Sequence, residues 1–127
     1  MHGEFEPWVE FFLQGVYEVA RQATDTAKAI TALRERDRTR LVEVLNKGAG
    51  TGLAVFEELF KLPVISVNQA AKIGGVTYAP ANALIAKLES LGILQEITGR
   101  GRNRLFMYGE YFRLLQDDPT AENEKPL

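Results

Sequence analysis

The stretch SVNQAAKIGGVTYAPANALIAKLESLGILQEITGRGRNRLFMY, running from Ser66 to Tyr108, decides the fold. It opens on Ser66-Val67-Asn68-Gln69, a capping box in which the serine hydroxyl accepts from the third residue on and the glutamine there reaches back. A short helix is expected from Val67 to Ile73. Gly74-Gly75 ends it, because the turn needs a residue that tolerates positive φ. Thr77 caps a second helix, from Tyr78 to about Leu91, and Pro80 falls in its first turn, where a missing N–H is tolerable. Leu84, Ile85, Leu88 and Leu91 recur at helical spacing and form the buried face, and Gly92 terminates the helix. Ile93 to Ile97 and Leu105 to Tyr108 read as strands. The connection Thr98-Gly99-Arg100-Gly101-Arg102-Asn103-Arg104 is too polar for anything but a surface hairpin tip.

Working outward, Pro63 stops a helix from about Gly52 to Lys61 whose apolar face is Leu53, Phe56, Leu59 and Phe60. Val64-Ile65 is a brief extended piece. Downstream, a helix from Glu110 to Gln116 packs Phe112 and Leu115, and the tail from Asp117 reads as disordered and acidic. Helix, extended piece, helix, glycine turn, helix and hairpin is the order of a winged helix-turn-helix. Leu84, Leu88 and Leu94 are expected to be buried together against Phe56.

Ahead of this domain lies a helical segment opened by Glu6-Pro7. From Trp8 to Asn46 there is no further proline and one glycine, Gly15. An apolar stripe runs through Trp8, Phe12, Val16, Val19, Ala23, Ala27, Ile30 and Leu33. It lapses through Arg34 to Arg40 and resumes at Leu41, Val44 and Leu45. One helix, or two broken near Thr31–Asp37, fits this pattern; unbroken, it is roughly 60 Å long. Such a stripe outruns the small domain behind it, so Trp8, Phe12, Val16, Val19, Ala23, Ala27 and Ile30 are expected to form a homodimer contact. Lys47-Gly48-Ala49-Gly50-Thr51-Gly52 reads as a flexible joint. Phosphate cradling is the sharper reading of these glycines, but the loop lacks the Gly-Lys-Ser/Thr ending that holds phosphate. The expected fold class is mainly α with a small β-hairpin: a long amphipathic helical segment over 1–47, a winged helix-turn-helix over 48–116 and an acidic tail over 117–127.

Composition narrows the chemistry. The 127 residues include no cysteine and one histidine, His2, at the terminus. Disulfides, thiolate metal sites and histidine-dependent catalysis therefore lack their atoms. No catalytic residue, metal or cofactor is expected. No apolar run reaches membrane-spanning length and no signal peptide opens the chain, so the expected location is cytoplasmic, without a membrane partner. The formal charge is −2, but it conceals a local excess. Between Val64 and Tyr108, Lys72, Lys87, Arg100, Arg102 and Arg104 face only Glu89 and Glu96. Acidic residues gather instead at Glu110, Asp117, Asp118, Glu122 and Glu124. A basic face on an acidic protein suits phosphate contacts.

The outer face of the third helix of this domain should hold Thr77, Tyr78, Asn82, Ala86 and Lys87. Asn82 suits an adenine edge in a major groove, and Thr77 and Tyr78 reach phosphates from the helix start. Arg100, Arg102, Asn103 and Arg104 of the hairpin tip suit adjacent phosphates or a minor groove. The plainer reading makes Thr77 a cap, Asn82 a solvated polar residue, Lys87 a surface charge and the arginines a solvated loop. Ala79, Ala83 and Ala86 leave the helix poor in groups that read bases.

Glu6-Pro7-Trp8-Val9-Glu10-Phe11-Phe12-Leu13-Gln14-Gly15-Val16 resembles the start of the helical segment that follows the catalytic core in Fic (filamentation-induced-by-cAMP) proteins. Ala81 to Ile85, Leu91-Gly92-Ile93-Leu94 and Ile97 to Arg104 resemble their C-terminal winged helix. The resemblance covers most of Glu4 to Phe112. It implies a parent that transfers AMP from ATP to a protein hydroxyl through His-Pro-Phe-x-x-Gly-Asn-Gly-Arg, none of which is present here. No catalytic residue carries over, and the chain corresponds to the part downstream of the core. Ala83 stands where an arginine often follows the asparagine in that family. Three functions follow: a DNA-binding or regulatory winged helix of a Fic-type protein, a protein-interaction module packing on a catalytic domain or partner, and a free-standing dimeric transcriptional regulator. The expected partners are duplex DNA, a second copy of the chain and the missing catalytic domain.

Overall fold

The computed structural model describes residues 6–46, 49–99, 101 and 103–117. Its order is α1 (Glu6–Leu45), α2 (Ala49–Glu58), β1 (Val64–Ser66), α3 (Val67–Gly74), α4 (Tyr78–Ser90), β2 (Gln95–Glu96), β3 (Leu105–Met107) and α5 (Gly109–Gln116). The extended piece and the hairpin join in one antiparallel sheet of order β1-β3-β2. Ile65 pairs with Phe106 and Glu96 pairs with Phe106 from the other side. The expected hairpin thus gains a third strand, which holds its base against the start of α3. Among the described residues no helix is long and apolar enough to cross a membrane.

Local chemistry places these elements as their residues dictate. Ser66 and Gln69 complete the capping box, with Gln69 N–H donating to Ser66 Oγ at 3.2 Å and Ser66 N–H to Gln69 Oε1 at 2.9 Å. Gly75 closes α3 at φ 65, a left-handed conformation that costs a residue with a Cβ about 1–2 kcal/mol. Thr77 occupies the N-cap of α4, but its side chain makes no cap hydrogen bond; the expected cap is positional only. α4 buries Ala81, Leu84, Ile85 and Leu88, and Leu91 is half-buried. Leu84, Leu88, Leu94 and Phe56 share one core, as their spacing predicts.

Of the two readings of the long helical segment, the unbroken one holds through Thr31–Asp37. Two expectations change. Ala49, Gly50, Thr51 and Gly52 form the first turn of α2 rather than a joint; Lys47 and Gly48 lie outside the described residues. Gly52 is buried where Leu45 and Leu84 close over it, and a Cβ there would meet both side chains. That close packing outweighs the poor helix propensity of glycine. In α5 the buried side chain is Tyr111, with Leu114 and Leu115 packed beside it, while Phe112 is only half-buried. The tail beyond Asp117 lies outside the described residues.

α1 has two halves. Leu33, Asp37 and Leu41, four residues apart, enter the core of the winged helix, and Ile30 and Leu45 pack against its edge. The run Arg34–Arg40, where the stripe lapses, is therefore the docking segment. Asp37 is 1% exposed. Its Oδ2 accepts from Tyr108 Oη at 2.5 Å, and its Oδ1 accepts from Arg36 Nε at 3.0 Å and Arg40 at 3.1 Å. Arg36 also donates to Glu110 at 3.0 Å, and Arg40 to the Leu91 carbonyl at 2.5 Å. Among the described residues no buried side-chain nitrogen or oxygen lacks a partner. A carboxylate so enclosed is tolerable because each oxygen is satisfied. Phe56, Phe60, Tyr108 and Tyr111 pack on one another with ring centroids 4.8–5.9 Å apart. Burial first, then the Asp37 carboxylate, pushes the Tyr108 phenol far above its ordinary range. Glu110 and Asp37 hold the Arg36 guanidinium more firmly protonated than usual. The N-terminal half of α1, from residue 7 to 22, is exposed on every side.

Candidate nucleic-acid interface

The wing and α4 meet at one bond that neither segment reveals alone. Arg104 donates to Asn82 Oδ1 at 2.9 Å, and its guanidinium lies 5.3 Å from the centre of the Phe106 ring. Phe106 is fully buried, and Arg104 and Asn82 are half-buried. Arg104 immediately precedes β3 and lies two residues from Phe106, the spacing that brings side chains of extended chain to one face. The guanidinium lies over the ring and still carries further donors. Arg104 is therefore an oriented cation, not a member of a free tip. The expected base reader Asn82 already spends its carbonyl on that arginine, leaving its amide N–H groups.

Around this pair lies an open groove lined by Ser66, Val67, Asn68, Tyr78, Asn103 and Arg104. It runs between the starts of α3 and α4 and the wing. Tyr78 is 54% exposed, and Asn68, Thr77 and Asn103 are exposed too. Asn103 takes a left-handed backbone at φ 52, a conformation asparagine adopts more readily than most residues, and it turns the chain back into β3. Glu96, on the far strand, accepts from Thr98 Oγ1 at 3.1 Å, and Thr98 in turn accepts from Leu105 N–H at 3.3 Å. This ties down the base of the wing and keeps the Glu96 carboxylate engaged locally. Thr77, Tyr78, Asn82, Asn103 and Arg104 are thus brought to one side of the domain. Arg100 and Arg102 lie outside the described residues.

Lys87 is not part of this cluster. It follows Pro80, Ala83 and Leu84 on the other flank of α4, where it borders a groove with Leu45, Thr51 and Val76. At about 100° per residue it lies about 140° around the helix from Asn82. Between the two flanks the outermost strip of α4 is Ala79, Ala83, Ala86 and Ser90, all exposed. The helix can approach another surface closely but presents few groups that distinguish bases. The role of Asn82 as an arginine holder was not visible in the sequence, since the two residues are 22 positions apart.

The dimerisation stripe is divided in the same way. Trp8, Phe12, Val16 and Val19 are exposed, as is Ala27, whereas Ala23 is half-buried and Ile30 packs on the core of its own chain. Ile30 thus leaves the proposed contact, its side chain having found cover within the domain.

No family model matches the chain, and no curated protein matches it. Among solved structures, the PcaV transcriptional regulator from Streptomyces coelicolor is similar at 14% identity, covering 76% of this chain and 75% of its own, with a TM-score of 0.44. NadR in complex with 4-hydroxyphenylacetate is similar at 14% identity over 76% of this chain and 72% of its own, with a TM-score of 0.42. The architecture of the chain itself, with α2, β1, α3 and α4 followed by the β2–β3 hairpin, is that of a winged helix-turn-helix behind a long helix.

Proposed function

We propose that this chain is a DNA-binding regulatory module in which Arg104, held by Asn82 and Phe106, meets the phosphate backbone while α4 lies along the major groove. The observation that carries the reading is that bond. It fixes a cation between the wing and the helix, where a duplex docked on this fold passes. Asn82 then acts through Arg104, and specificity comes chiefly from the fit of the duplex and not from base edges.

Binding to labelled duplex DNA, followed by fluorescence anisotropy across a salt series, tests this. Each neutralised phosphate contributes about −0.9 to the slope of log K against log salt. Arg104→Ala should lower the slope by about 1, and replacing Arg100, Arg102 and Arg104 together by about 2–3. Asn82→Ala should weaken binding to all sequences alike, because it releases Arg104; relaxed discrimination at one base pair would make Asn82 a base reader instead. A wild type that does not bind duplex at low salt refutes the reading. The alternative is then a protein-interaction module. The strip Ala79, Ala83, Ala86 and Ser90 supports it, because small side chains suit packing against another protein as well as a groove.

Two settings fit such a module. The uncovered half of α1 supports a free-standing dimeric transcriptional regulator, and this is the setting we propose first. The resemblance at Glu6–Val16 and Ala81–Arg104 supports the second, attachment behind a Fic catalytic core that transfers AMP. The coding sequence upstream of Met1 separates them: an in-frame His-Pro-Phe-x-x-Gly-Asn-Gly-Arg motif establishes the second, and a stop codon with a ribosome-binding site establishes the first.

A further inference from the structure

The first turns of α1 leave an apolar face in water. Trp8, Phe11 and Phe12 are 65%, 77% and 55% exposed, and Val16 and Val19 are about half exposed. Aromatic side chains of this kind cover about 150–250 Å² each, so these three alone leave roughly 300–500 Å² bare. That equals the largest patch of an ordinary monomer, and the aliphatic neighbours bring it toward the ~800 Å² that each partner buries in a standard interface.

The groove along this face, lined by Trp8, Phe12, Gly15, Val16, Val19 and Ala23, has a spacing that reads the same in both directions. Trp8 and Ala23, Phe12 and Val19, and Gly15 and Val16 are each equidistant from a point between Gly15 and Val16. A two-fold interface has this requirement, since a residue i that meets j must be met by i in return. Each large ring also faces a smaller side chain across the point: Trp8 opposite Ala23, Phe12 opposite Val19. Gly15 supplies an independent indication. Glycine inside a helix is destabilising relative to alanine, yet a Cβ at Gly15 would meet nothing within 4 Å. Among the described residues nothing requires that glycine, whereas a second helix approaching closely does.

We propose that two copies of this chain pair through residues 8–23 of α1 as antiparallel helices, with the two-fold axis passing between Gly15 and Val16. The overlap is about 24 Å long, and the two winged helices project from its opposite ends. The pairing holds whether or not the module binds DNA.

Because the chain has no cysteine, single cysteines report the register. Val16→Cys lies at the axis and should form a disulfide-linked dimer under mild oxidation. Phe12→Cys and Val19→Cys should each fail alone, because like positions are about 10 Å apart along the axis, but should cross-link when mixed. Gly15→Leu should raise the dimer dissociation constant at least tenfold with helical circular dichroism unchanged. A monomer at high micromolar concentration by light scattering overturns the proposal. So does self-cross-linking of Phe12→Cys or Val19→Cys, or dimerisation indifferent to Gly15→Leu.

Discussion

Tyr108→Phe removes one oxygen and leaves the ring in place. In the wild type that oxygen donates to Asp37 Oδ2 at 2.5 Å inside the core. Oδ1 keeps Arg36 and Arg40, so the variant leaves one oxygen of a buried carboxylate unpaired. A hydrogen bond to a charged group contributes about 1.5–3 kcal/mol, and that is the expected loss by urea denaturation. Asp37→Ala strands the Tyr108 hydroxyl instead, at about 1–3 kcal/mol for the unsatisfied group plus the loss of packing. The arginines add little, because both reach solvent and stay hydrated. In a double-mutant cycle the two losses should fall short of additivity by more than 1 kcal/mol, since either change breaks the same bond. The pH dependence gives a second reading of the same contact. A phenol ordinarily ionises near pH 10, while burial and Asp37 keep Tyr108 protonated well above that. Above pH 10 the unfolded chain therefore releases a proton that the folded chain retains, and stability falls with rising pH. The slope is about 1.4 kcal/mol per pH unit for one such group. Tyr111, also raised by burial, adds to it. Tyr108→Phe should remove the Tyr108 share and leave that of Tyr111. Losses that add within about 0.5 kcal/mol, together with an unchanged alkaline slope, would refute the view that this contact anchors α1.

Leu88→Ala should cost about 2–5 kcal/mol by urea denaturation, because Leu88 is fully buried. Gly75→Ala should cost about 1–2 kcal/mol from its left-handed backbone alone, since a Cβ there has open space; calorimetry checks it. Gly52→Ala should cost about 1–3 kcal/mol as Leu45 and Leu84 are pushed aside. Restoring room with Leu45→Ala should recover part of the overpacking cost, read as a double-mutant cycle.

Much of the winged helix is legible because its signals are local. The Ser66–Gln69 box, the glycines at 75 and 92 and the apolar spacing of α4 each act within a few residues. What escaped reading depends on partners far along the chain. Asp37 sits in a run of charges that looks solvated, and its partner Tyr108 is 71 residues away. One signal was available: Asp37 falls midway between Leu33 and Leu41 on the same helical face, so the stripe continues through it. Propensity alone makes the glycines of α2 a joint, and a packed neighbour overrides propensity. In the sequence Asn82 and Arg104 are each candidates to touch DNA. Only the three-dimensional structure shows that they touch each other.

The unbroken course of α1 makes it a rotary coupling as well as a spacer. Between Ala23, at the end of the exposed stripe, and Leu33, at the start of the docked segment, no proline or glycine interrupts the helix. The angular phase of the winged helix relative to the stripe is therefore encoded in the number of residues between them. Each residue inserted turns the domain by about 100° and moves it about 1.5 Å. Seven inserted residues restore the phase to within about 20° while lengthening the arm by about 10 Å. A graded insertion series would thus separate the angle of the winged helix relative to the stripe from the distance between them.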